Sequence, residues 1–458
     1  MELNNWLKYY KLNYYYHHYV QEILLHLVPE SASVIEFGSK CGETLSRLPN
    51  KKKTGVEYSD TFIKAARDTY PKIKFINEHK ALHKLRQKFD YIIISHVLTY
   101  TTDVQKFVSG LKPLIHKDTR IIVLYFNYLW KPFLDLAQKL NLMAPNTSQP
   151  NWLDSNDTDN IFHLESYELL KSGRRFIFPY QIKYISGFFN KFVSVLPFFN
   201  SLGLINYSIY RPFPSNSNNY SVSIVIPARN ESGNIVGVLD KIPRLVKKQE
   251  VIFIEGHSND DTYKSILKEI KRYKGPMSAR VFKQKGNGKG DAVRLGFSKA
   301  RGEMLMILDA DLTVPPQELP KFYSTCASGK GDLVMGSRLI YPMEKLAMRT
   351  LNVIGNKVFS LLFTFLLGQR IKDTLCGTKV IVKSNYQKII ANRKHFGDFD
   401  PFGDFDLIFG AAKLNLKILE IPIRYRQRSY GKTNISRFEH GLLLLRMVLF
   451  AARKVKFI

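Results

Sequence analysis

Two aspartates that directly follow an apolar run are the residues of this sequence best suited to chemistry. They are Asp309 and Asp311, within EMLMILDADLTVPP (303–316). Side chains two positions apart in an extended chain point the same way, so both carboxylates face one side of a strand end. Hard divalent cations prefer oxygen ligands of this kind, and a diphosphate can complete the coordination shell. An isolated Asp-x-Asp could equally be a solvated turn, so the neighbouring segments have to decide.

Three other segments place charged or glycine residues after a strand-like run or before a helix-like one. They are SIVIPARNE (223–231), VIFIEGHSNDDT (251–262) and KQKGNGKGDAVRLGF (283–297). The carboxylates among them, Glu231, Glu255 and Asp260, suit a nucleoside bound at the switch point of an open sheet. Glycines let the backbone approach a ligand closely, and Lys289 can offset phosphate charge.

Apolar runs that alternate with amphipathic segments predict the elements that hold these residues. SVIEF, TGVEYS, DYIIIS and RIIVLYF lie between about residues 30 and 145, and five similar runs lie between 221 and 337. This alternation is typical of βαβ units, so we expect two α/β domains with parallel sheets. The expected boundaries are a first domain at 1–150, an aromatic-rich connector at 151–219, a second domain at 220–438 and a basic apolar tail at 439–458.

The four segments of the second domain, in this order, resemble the family-2 glycosyltransferases over about residues 220–440. The resemblance is to the polyprenyl-phosphate branch, which is similar to dolichyl-phosphate mannose synthase. It implies a GT-A (nucleotide-diphospho-sugar transferase) α/β fold, a UDP- or GDP-linked sugar donor, Mg2+ or Mn2+, and inversion at the anomeric carbon. It implies metal binding by Asp309 and Asp311, and nucleotide-sugar contacts at Pro227, Glu231, Glu255, Asp260, Lys289 and Asp309.

The same resemblance assigns further charged residues to the transfer step. They are Arg338 of a Gly-Ser-Arg motif, Asp373 of a later loop, Asp404 and Asp406 of GDFDLIFGAAK (403–413), and Arg428 and Lys432 of RSYGKTNI (428–435). Cations at these positions would stabilise the charge of the departing diphosphate. A lipid-phosphate acceptor needs no general base, whereas a sugar hydroxyl would need one, and Asp404 or Asp406 is the candidate. Asn434 stands where the family often has a lysine.

The first domain resembles class I S-adenosylmethionine-dependent methyltransferases over residues 30–145, with a Rossmann-like fold. The motif is SVIEFGSKCGETL (33–45), followed by GVEYSD (55–60). The resemblance implies that the cofactor lies against Glu36, Gly38, Gly42 and Glu57. Lys40 replaces the middle glycine of the usual loop, and its side chain could hinder the ligand. A degenerate fold kept for docking or regulation is the alternative.

A net charge of +29 and two short apolar stretches favour an anionic membrane surface as a partner. VFSLLFTFLLG (358–368) and GLLLLRMVLFAA (441–452) are shorter than the ~20 residues of a membrane span, so they indicate interfacial helices or buried core helices. Three distant cysteines and no signal-peptide-like run indicate a cytoplasmic chain, peripheral at the inner face of a membrane.

The leading hypothesis is a bifunctional enzyme of cell-surface glycan or glycolipid assembly. Its second domain would move a sugar from a nucleotide-sugar to a polyprenyl phosphate or glycan, and its first domain would methylate a related sugar. One alternative is a membrane-surface scaffold in which both folds are inactive. The other is a basic nucleic-acid-binding protein, but no nucleic-acid-binding motif is present, so nucleic acid is not an expected partner. The sugar, the base, the acceptor and the oligomeric state stay open.

Overall fold

The computed structural model describes residues 2–77, 85–145, 150–214, 217–342, 350–392, 405–428, 430–431 and 437–457. The chain forms two compact units. Residues Met1–Phe213 with Lys456–Ile458 make the first, and Pro214–Val455 make the second. Each unit is a mixed α/β layer structure, as the alternation of apolar runs predicts.

The first unit is built on a sheet whose described strands are β1 (Val34–Phe37), β2 (Lys53–Glu57), β3 (Lys74–Asn77), β4 (Tyr91–Ser95), β5 (Arg120–Phe126), β6 (Tyr167–Arg175) and β7 (Ile205–Pro212). Their order is β3-β2-β1-β4-β5-β7-β6. The first five strands are parallel, and β7 is antiparallel to both of its neighbours. The predicted parallel core of this unit is therefore confirmed.

Helices accompany these strands at the positions where the sequence is amphipathic. The α-helices are α1 (Leu3–Leu12), α2 (Tyr14–Leu27), α3 (Glu43–Arg47), α4 (Asp60–Thr69), α5 (Val104–Ser109), α6 (Lys131–Lys139), α7 (Ser155–Leu164), α8 (Ile185–Phe188) and α9 (Pro197–Asn200), with a π-helix at Phe189–Val193. Short 3-10 turns span Val97–Tyr100, Lys112–Leu114 and Tyr128–Trp130.

The segment predicted as a connector, 151–219, contributes two strands to the first sheet. Strand β7 pairs with β5, placing Ile209 beside Ile122, and β6 forms the sheet edge beyond it. Tyr210 of β7 is fully buried, and its ring stacks on that of Phe162 with the centroids 4.0 Å apart. Because this apolar surface completes the core, residues up to Phe213 belong to the first unit rather than to a separate connector.

The second unit holds the other sheet, whose described strands are β8 (Val222–Ala228), β9 (Gln249–Glu255), β10 (Ser278–Lys283), β11 (Met304–Ile307), β12 (Leu333–Ser337), β13 (Lys379–Val382) and β14 (Ile418–Pro422). Their order is β10-β9-β8-β11-β13-β12-β14. Strand β13 runs antiparallel to β11 and β12, and the other pairs are parallel. Chain order reverses between β8 and β11, which is the switch point where open sheets bind ligands.

The helices of the second unit pack on both faces of this sheet. They are α10 (Ser232–Ile235), α11 (Val238–Lys241), α12 (Thr262–Arg272), α13 (Gly288–Lys299), α14 (Leu319–Ala327), α15 (Thr350–Leu367), α16 (Lys383–Ala391), α17 (Phe405–Lys413) and α18 (Arg437–Ala451), with a 3-10 turn at Pro316–Glu318 and a π-helix at Ala452–Lys456.

The two apolar stretches near the C-terminus lie in helices α15 and α18. Phe363 of α15 and Met447 of α18 are buried in the core of the second unit, whereas Leu361 and Leu445 are exposed. The tail predicted at 439–458 is therefore partly core, and it keeps an outward row of leucines. Within the described residues, no helix is long and apolar enough to span a membrane.

Candidate functional site

The carboxyl ends of β8, β9 and β11 bring together most of the predicted second-domain site. Asp309 and Asp311 follow β11 directly, Glu231 follows β8, and Glu255 is the last residue of β9. Since these three strands are adjacent and parallel, the loops that leave them share one edge of the sheet. The local fold thus places four carboxylates around the switch point.

Arg428 joins two of these carboxylates. Its Nη2 lies 2.8 Å from Asp311 Oδ2, and its Nη1 lies 3.0 Å from Glu231 Oε1. The segment after β14 brings the arginine here, because the backbone N–H of Arg426 donates to the carbonyl of Thr313 at 2.9 Å. Burial raises the pKa of Glu231, and the Arg428 guanidinium and Asn234 oppose that rise. The site therefore holds an arginine between two acids that precede it in the sequence by 197 and 117 residues.

Asp309 forms an ion pair with Lys289, another of the predicted cations. Lys289 Nζ, in the first turn of α13, lies 2.6 Å from Asp309 Oδ1. Burial alone would raise the pKa of Asp309, but the charge of Lys289, with weaker effects from Lys379 and Arg338, holds it below its ordinary value. Asp309 is thus an ionised carboxylate in a cationic environment.

Asp311 is fixed by its own loop as well as by Arg428. Its Oδ1 accepts hydrogen bonds from the Thr313 N–H at 3.2 Å and from the Thr313 hydroxyl at 2.9 Å. Oδ1 of Asp311 therefore accepts hydrogen bonds within the turn, and Oδ2 contacts the guanidinium of Arg428. This arrangement orients Asp311 before any ligand arrives.

Arg338 makes different contacts from those expected of a phosphate clamp. Its Nε and Nη2 donate to the two carboxylate oxygens of Asp373 at 2.6 and 2.7 Å, and its guanidinium lies over the ring of Tyr425. Asp373 is completely buried and also accepts from Asn356 at 2.8 Å. The guanidinium of Arg338 is therefore bonded to a buried carboxylate. Its positive charge also helps to lower the pKa of Asp309.

Glu255 and Asp260 form hydrogen bonds within the loop after β9, and Asp260 also bonds to the segment after β8. Glu255 accepts from the Ser258 N–H at 2.6 Å. Asp260 accepts from the Thr262 N–H at 3.0 Å and from the Ser232 N–H at 3.2 Å, so it ties the loop after β9 to the loop after β8. Pro227 is the second-last residue of β8 and lies at the same sheet edge.

Asp406 lies on α17 and forms a longer ion pair with Arg294, at 3.6 Å. Both residues line a cavity of about 240 Å³ between helices α13, α16 and α17, together with Tyr386 and Lys413. Asp406 was predicted as a candidate general base. Within the described residues, no hydrogen bond or ion pair joins its side chain to Asp309 or Asp311. The predicted residues Asp404 and Lys432, and the substitution at Asn434, lie outside the described residues.

Two residues of the site were not predicted from the sequence. Lys379, the first residue of β13, is 1% exposed, donates to the Cys376 carbonyl and adds positive charge near Asp309. Gly377 lies against the ion pair, since a Cβ there would overlap Asp309 Oδ2 and Lys289 Nζ. The available signal for Lys379 was a lysine at the start of an otherwise apolar strand. Its place in the site follows only from the antiparallel pairing of β13.

The donor set of this site fits a divalent cation bound together with a diphosphate. Asp309 and Asp311 offer hard oxygen ligands on one strand end, and Mg2+ is commonly held by one or two carboxylates plus substrate phosphates. The described residues contain no group of three or more potential protein ligands. The protein's share of such a site is therefore the two aspartates.

In the corresponding turn of the first unit, the predicted S-adenosylmethionine contact Glu57 is bonded by its own loop. Glu57 accepts from the Tyr58 N–H at 2.9 Å and from the Lys40 N–H at 3.1 Å. The Lys40 ammonium lies 3.6 Å from the same carboxylate. The side chain that replaces the usual glycine therefore supplies the positive partner of Glu57.

The other predicted residues of this turn have constrained surroundings. Gly38 and Gly42 have φ values of +76° and +87°, which disfavour any side chain, and a Cβ on Gly42 would clash with Phe75. Glu36 is 2% exposed, and burial with the nearby charge of Glu43 raises its pKa to about 8. At neutral pH Glu36 is therefore largely protonated.

Comparison with known families agrees with the geometry of the second unit. Residues 223–390 match the model of glycosyl transferase family 2. This part of the chain is therefore similar to family-2 glycosyltransferases, and we call it the glycosyltransferase domain. The match covers the switch point, Lys289 and the aspartate pair, while Arg428 lies beyond it.

Curated relatives of the glycosyltransferase domain include hexosyltransferases. The low-salt glycan biosynthesis hexosyltransferase Agl6 of Haloferax volcanii is 27% identical over 236 residues, which are 51% of this chain and 54% of that protein. The dolichyl-phosphate hexose transferase of the same organism is 29% identical over 221 residues, which are 48% of this chain and 89% of that protein. The chain thus spans about half the length of Agl6.

Solved structures resemble parts of the chain at low identity. Glucosyl-3-phosphoglycerate synthase of Mycobacterium tuberculosis, solved with Mn2+, UDP and glucosyl-3-phosphoglycerate, has a TM-score of 0.39 and 21% identity, over 52% of this chain and 80% of that one. A SAM-dependent methyltransferase of Thermotoga maritima has a TM-score of 0.35 and 14% identity, over 46% of this chain and 95% of that one.

Proposed function

We propose that the protein is a metal-dependent, inverting glycosyltransferase that moves a sugar from a nucleotide-sugar to a polyprenyl phosphate at the inner face of a membrane. The observation that carries the proposal is the pair of aspartates at the switch point, each held by a cation from a different segment. A dolichyl-phosphate hexose transferase among the relatives supports the lipid-phosphate acceptor. A glycan hydroxyl is the alternative acceptor.

The charges of the site suit a diphosphate. Lys289 stands at the start of α13, where the helix N-terminus also favours an anion. Arg428 carries a planar guanidinium that can bond two phosphate oxygens at once. Both cations are already oriented by Asp309 and Asp311, so a donor would bind at groups that are in position beforehand.

Asp309 and Asp311 would hold the divalent ion beside these cations. When bound, such an ion offsets the negative charge that develops on the departing diphosphate. Lys289 and Arg428 would add to that stabilisation, and Glu231 with Glu255 would face the nucleoside. Direct displacement by an acceptor on the opposite side of the sugar then inverts the anomeric carbon.

The acceptor determines whether a base is needed. A phosphate acceptor is an anion at neutral pH and attacks without proton removal. This agrees with the position of Asp406, whose carboxylate is paired with Arg294. Methyl transfer is left out of the proposed activity, because Glu57 is already bonded by Lys40 and its own loop.

The test is a donor screen that measures release of nucleoside diphosphate from UDP- and GDP-sugars, with Mg2+ or Mn2+ and a polyprenyl phosphate. We expect Asp309→Ala/Asp311→Ala to abolish both metal-dependent hydrolysis and transfer. Asp240→Asn is the control, since that carboxylate is exposed and forms an ion pair with Arg272, which is also exposed. Undiminished transfer by the double variant would refute the metal site.

A further inference from the structure

The first unit exposes an unusually aromatic surface between β6 and β7. Tyr184 is 81% exposed and Phe198 is 76% exposed, and several neighbouring apolar side chains are open to solvent as well. We define the aromatic face as the exposed residues Tyr180, Ile182, Tyr184, Ile185, Phe188, Phe192, Phe198 and Leu202. Contiguous exposed apolar patches of this kind mark interaction sites.

Buried polar residues hold the backbone of this segment in place. Asn190 is 1% exposed, and its side chain bonds both the N–H and the carbonyl of Phe178 and the hydroxyl of Tyr15. Its own carbonyl accepts from Tyr19 at 2.9 Å and from Ser194. The aromatic rings therefore point outward from an anchored backbone, and their exposure is a property of the fold.

A second element extends the aromatic face. The Trp130 Nε1–H donates to the carbonyl of Leu202 at 2.7 Å, so the start of α6 adjoins the end of the segment. Phe133 and Leu136 of α6 are 64% and 52% exposed. The exposed apolar surface thus continues from the segment onto a neighbouring helix.

The charge of the segment is one-sided. Between Glu168 and Glu231 the sequence contains no aspartate or glutamate, while the exposed Lys183 and Lys191 lie among the residues of the aromatic face in the sequence. Asp135 on the adjoining helix α6 forms an ion pair with Lys131, whose Nζ lies 2.6 Å from Asp135 Oδ2. Aromatic rings with lysines and without carboxylates are the composition that binds the interface of an anionic bilayer.

We propose that the aromatic face binds the surface of an anionic lipid bilayer. A second copy of the chain fits less well, because a symmetric contact would bring the lysines of two identical faces together without carboxylates to meet them. The proposal adds to the proposed function a membrane contact on the first unit, where the sequence had indicated helices α15 and α18. It rests on the surface itself and not on the transfer reaction.

The test measures binding of the full-length protein to vesicles, without donor or metal. Vesicles of phosphatidylcholine with and without phosphatidylserine are sedimented, and the bound fraction is compared among variants. We expect Tyr184→Ser/Phe188→Ser/Phe198→Ser to weaken binding to anionic vesicles about tenfold or more. We expect Leu442→Ser/Leu445→Ser/Leu449→Ser, the matched change on α18, to weaken it much less.

A charge variant tests the same surface without removing any apolar group. Lys183→Glu/Lys191→Glu should weaken binding to phosphatidylserine-containing vesicles, and far-UV circular dichroism should be unchanged. Wild-type-like binding by both the serine and the glutamate variants would overturn the proposal. So would a wild-type protein that ignores vesicles but forms a dimer that the serine variant disrupts in light scattering. Because no donor is present, these outcomes are separate from failure of the transferase proposal.

Discussion

Gly377 should be one of the most sensitive positions of the glycosyltransferase domain, although it carries no functional group. A methyl group there would overlap Asp309 Oδ2 and Lys289 Nζ and would lie 2.8 Å from Asp309 Cγ. The Lys289 ammonium can move aside, but only by breaking its ion pair with Asp309. Overpacking of this kind costs about 1–3 kcal/mol of stability. Loss of one oriented group for the diphosphate costs about a hundredfold in rate.

The assay for Gly377→Ala is release of nucleoside diphosphate together with urea denaturation. Gly355→Ala is the matched control, because nothing lies within 4 Å of a Cβ at that helical position. We expect the control to be neutral, or to stabilise the protein by up to about 1 kcal/mol, with unchanged activity. Wild-type activity and stability in Gly377→Ala would show that the Lys289–Asp309 pair does not matter, and the account of the site would be wrong.

Two predictions concern the first unit. Burial and the charge of Glu43 raise the folded-state pKa of Glu36 from 4.5 to about 8, so the folded protein holds an extra proton between these values and loses stability as pH rises across that range. Glu36→Gln should flatten this pH dependence in urea titrations, and an unaltered slope would contradict it. Lys40→Gly removes the ammonium beside Glu57 and should tighten S-adenosylmethionine binding about tenfold in calorimetry. Equal binding by the wild type would contradict that reasoning.

The sequence predicts the strands well, because buried parallel strands are continuous apolar runs. It misses β6 and β7 because their pattern is mixed, and it also misses β3, β13 and β14, which have four or five residues each. Strand β6 mixes buried, half-buried and exposed residues at the sheet edge without regular alternation, and β7 lies in a segment rich in aromatic residues. Only the pairing of β7 with β5 shows that this segment completes the first core.

Site residues that directly follow a strand could be predicted from the sequence. Site residues that come from segments distant in the sequence were harder to predict. Asp309, Asp311 and Glu231 come from the ends of adjacent strands, so spacing alone gathers them. The link from Arg428 to Glu231 depends on the path of the chain after β14, which no local pattern encodes. The contact between Arg338 and Asp373 was hidden for the same reason, because the two residues are 35 positions apart in the sequence.

Strand β13 has a consequence for how this site can vary. It runs against β11 and β12, so residues that precede it in the chain reach the edge where the other strands end. Gly377 and Lys379 enter the site by this route. The site therefore contains residues that follow the parallel strands and residues at the start of an antiparallel strand. A change in the length of the loop before β13 would alter the charge beside Asp309 while leaving the pair of Asp309 and Asp311 intact.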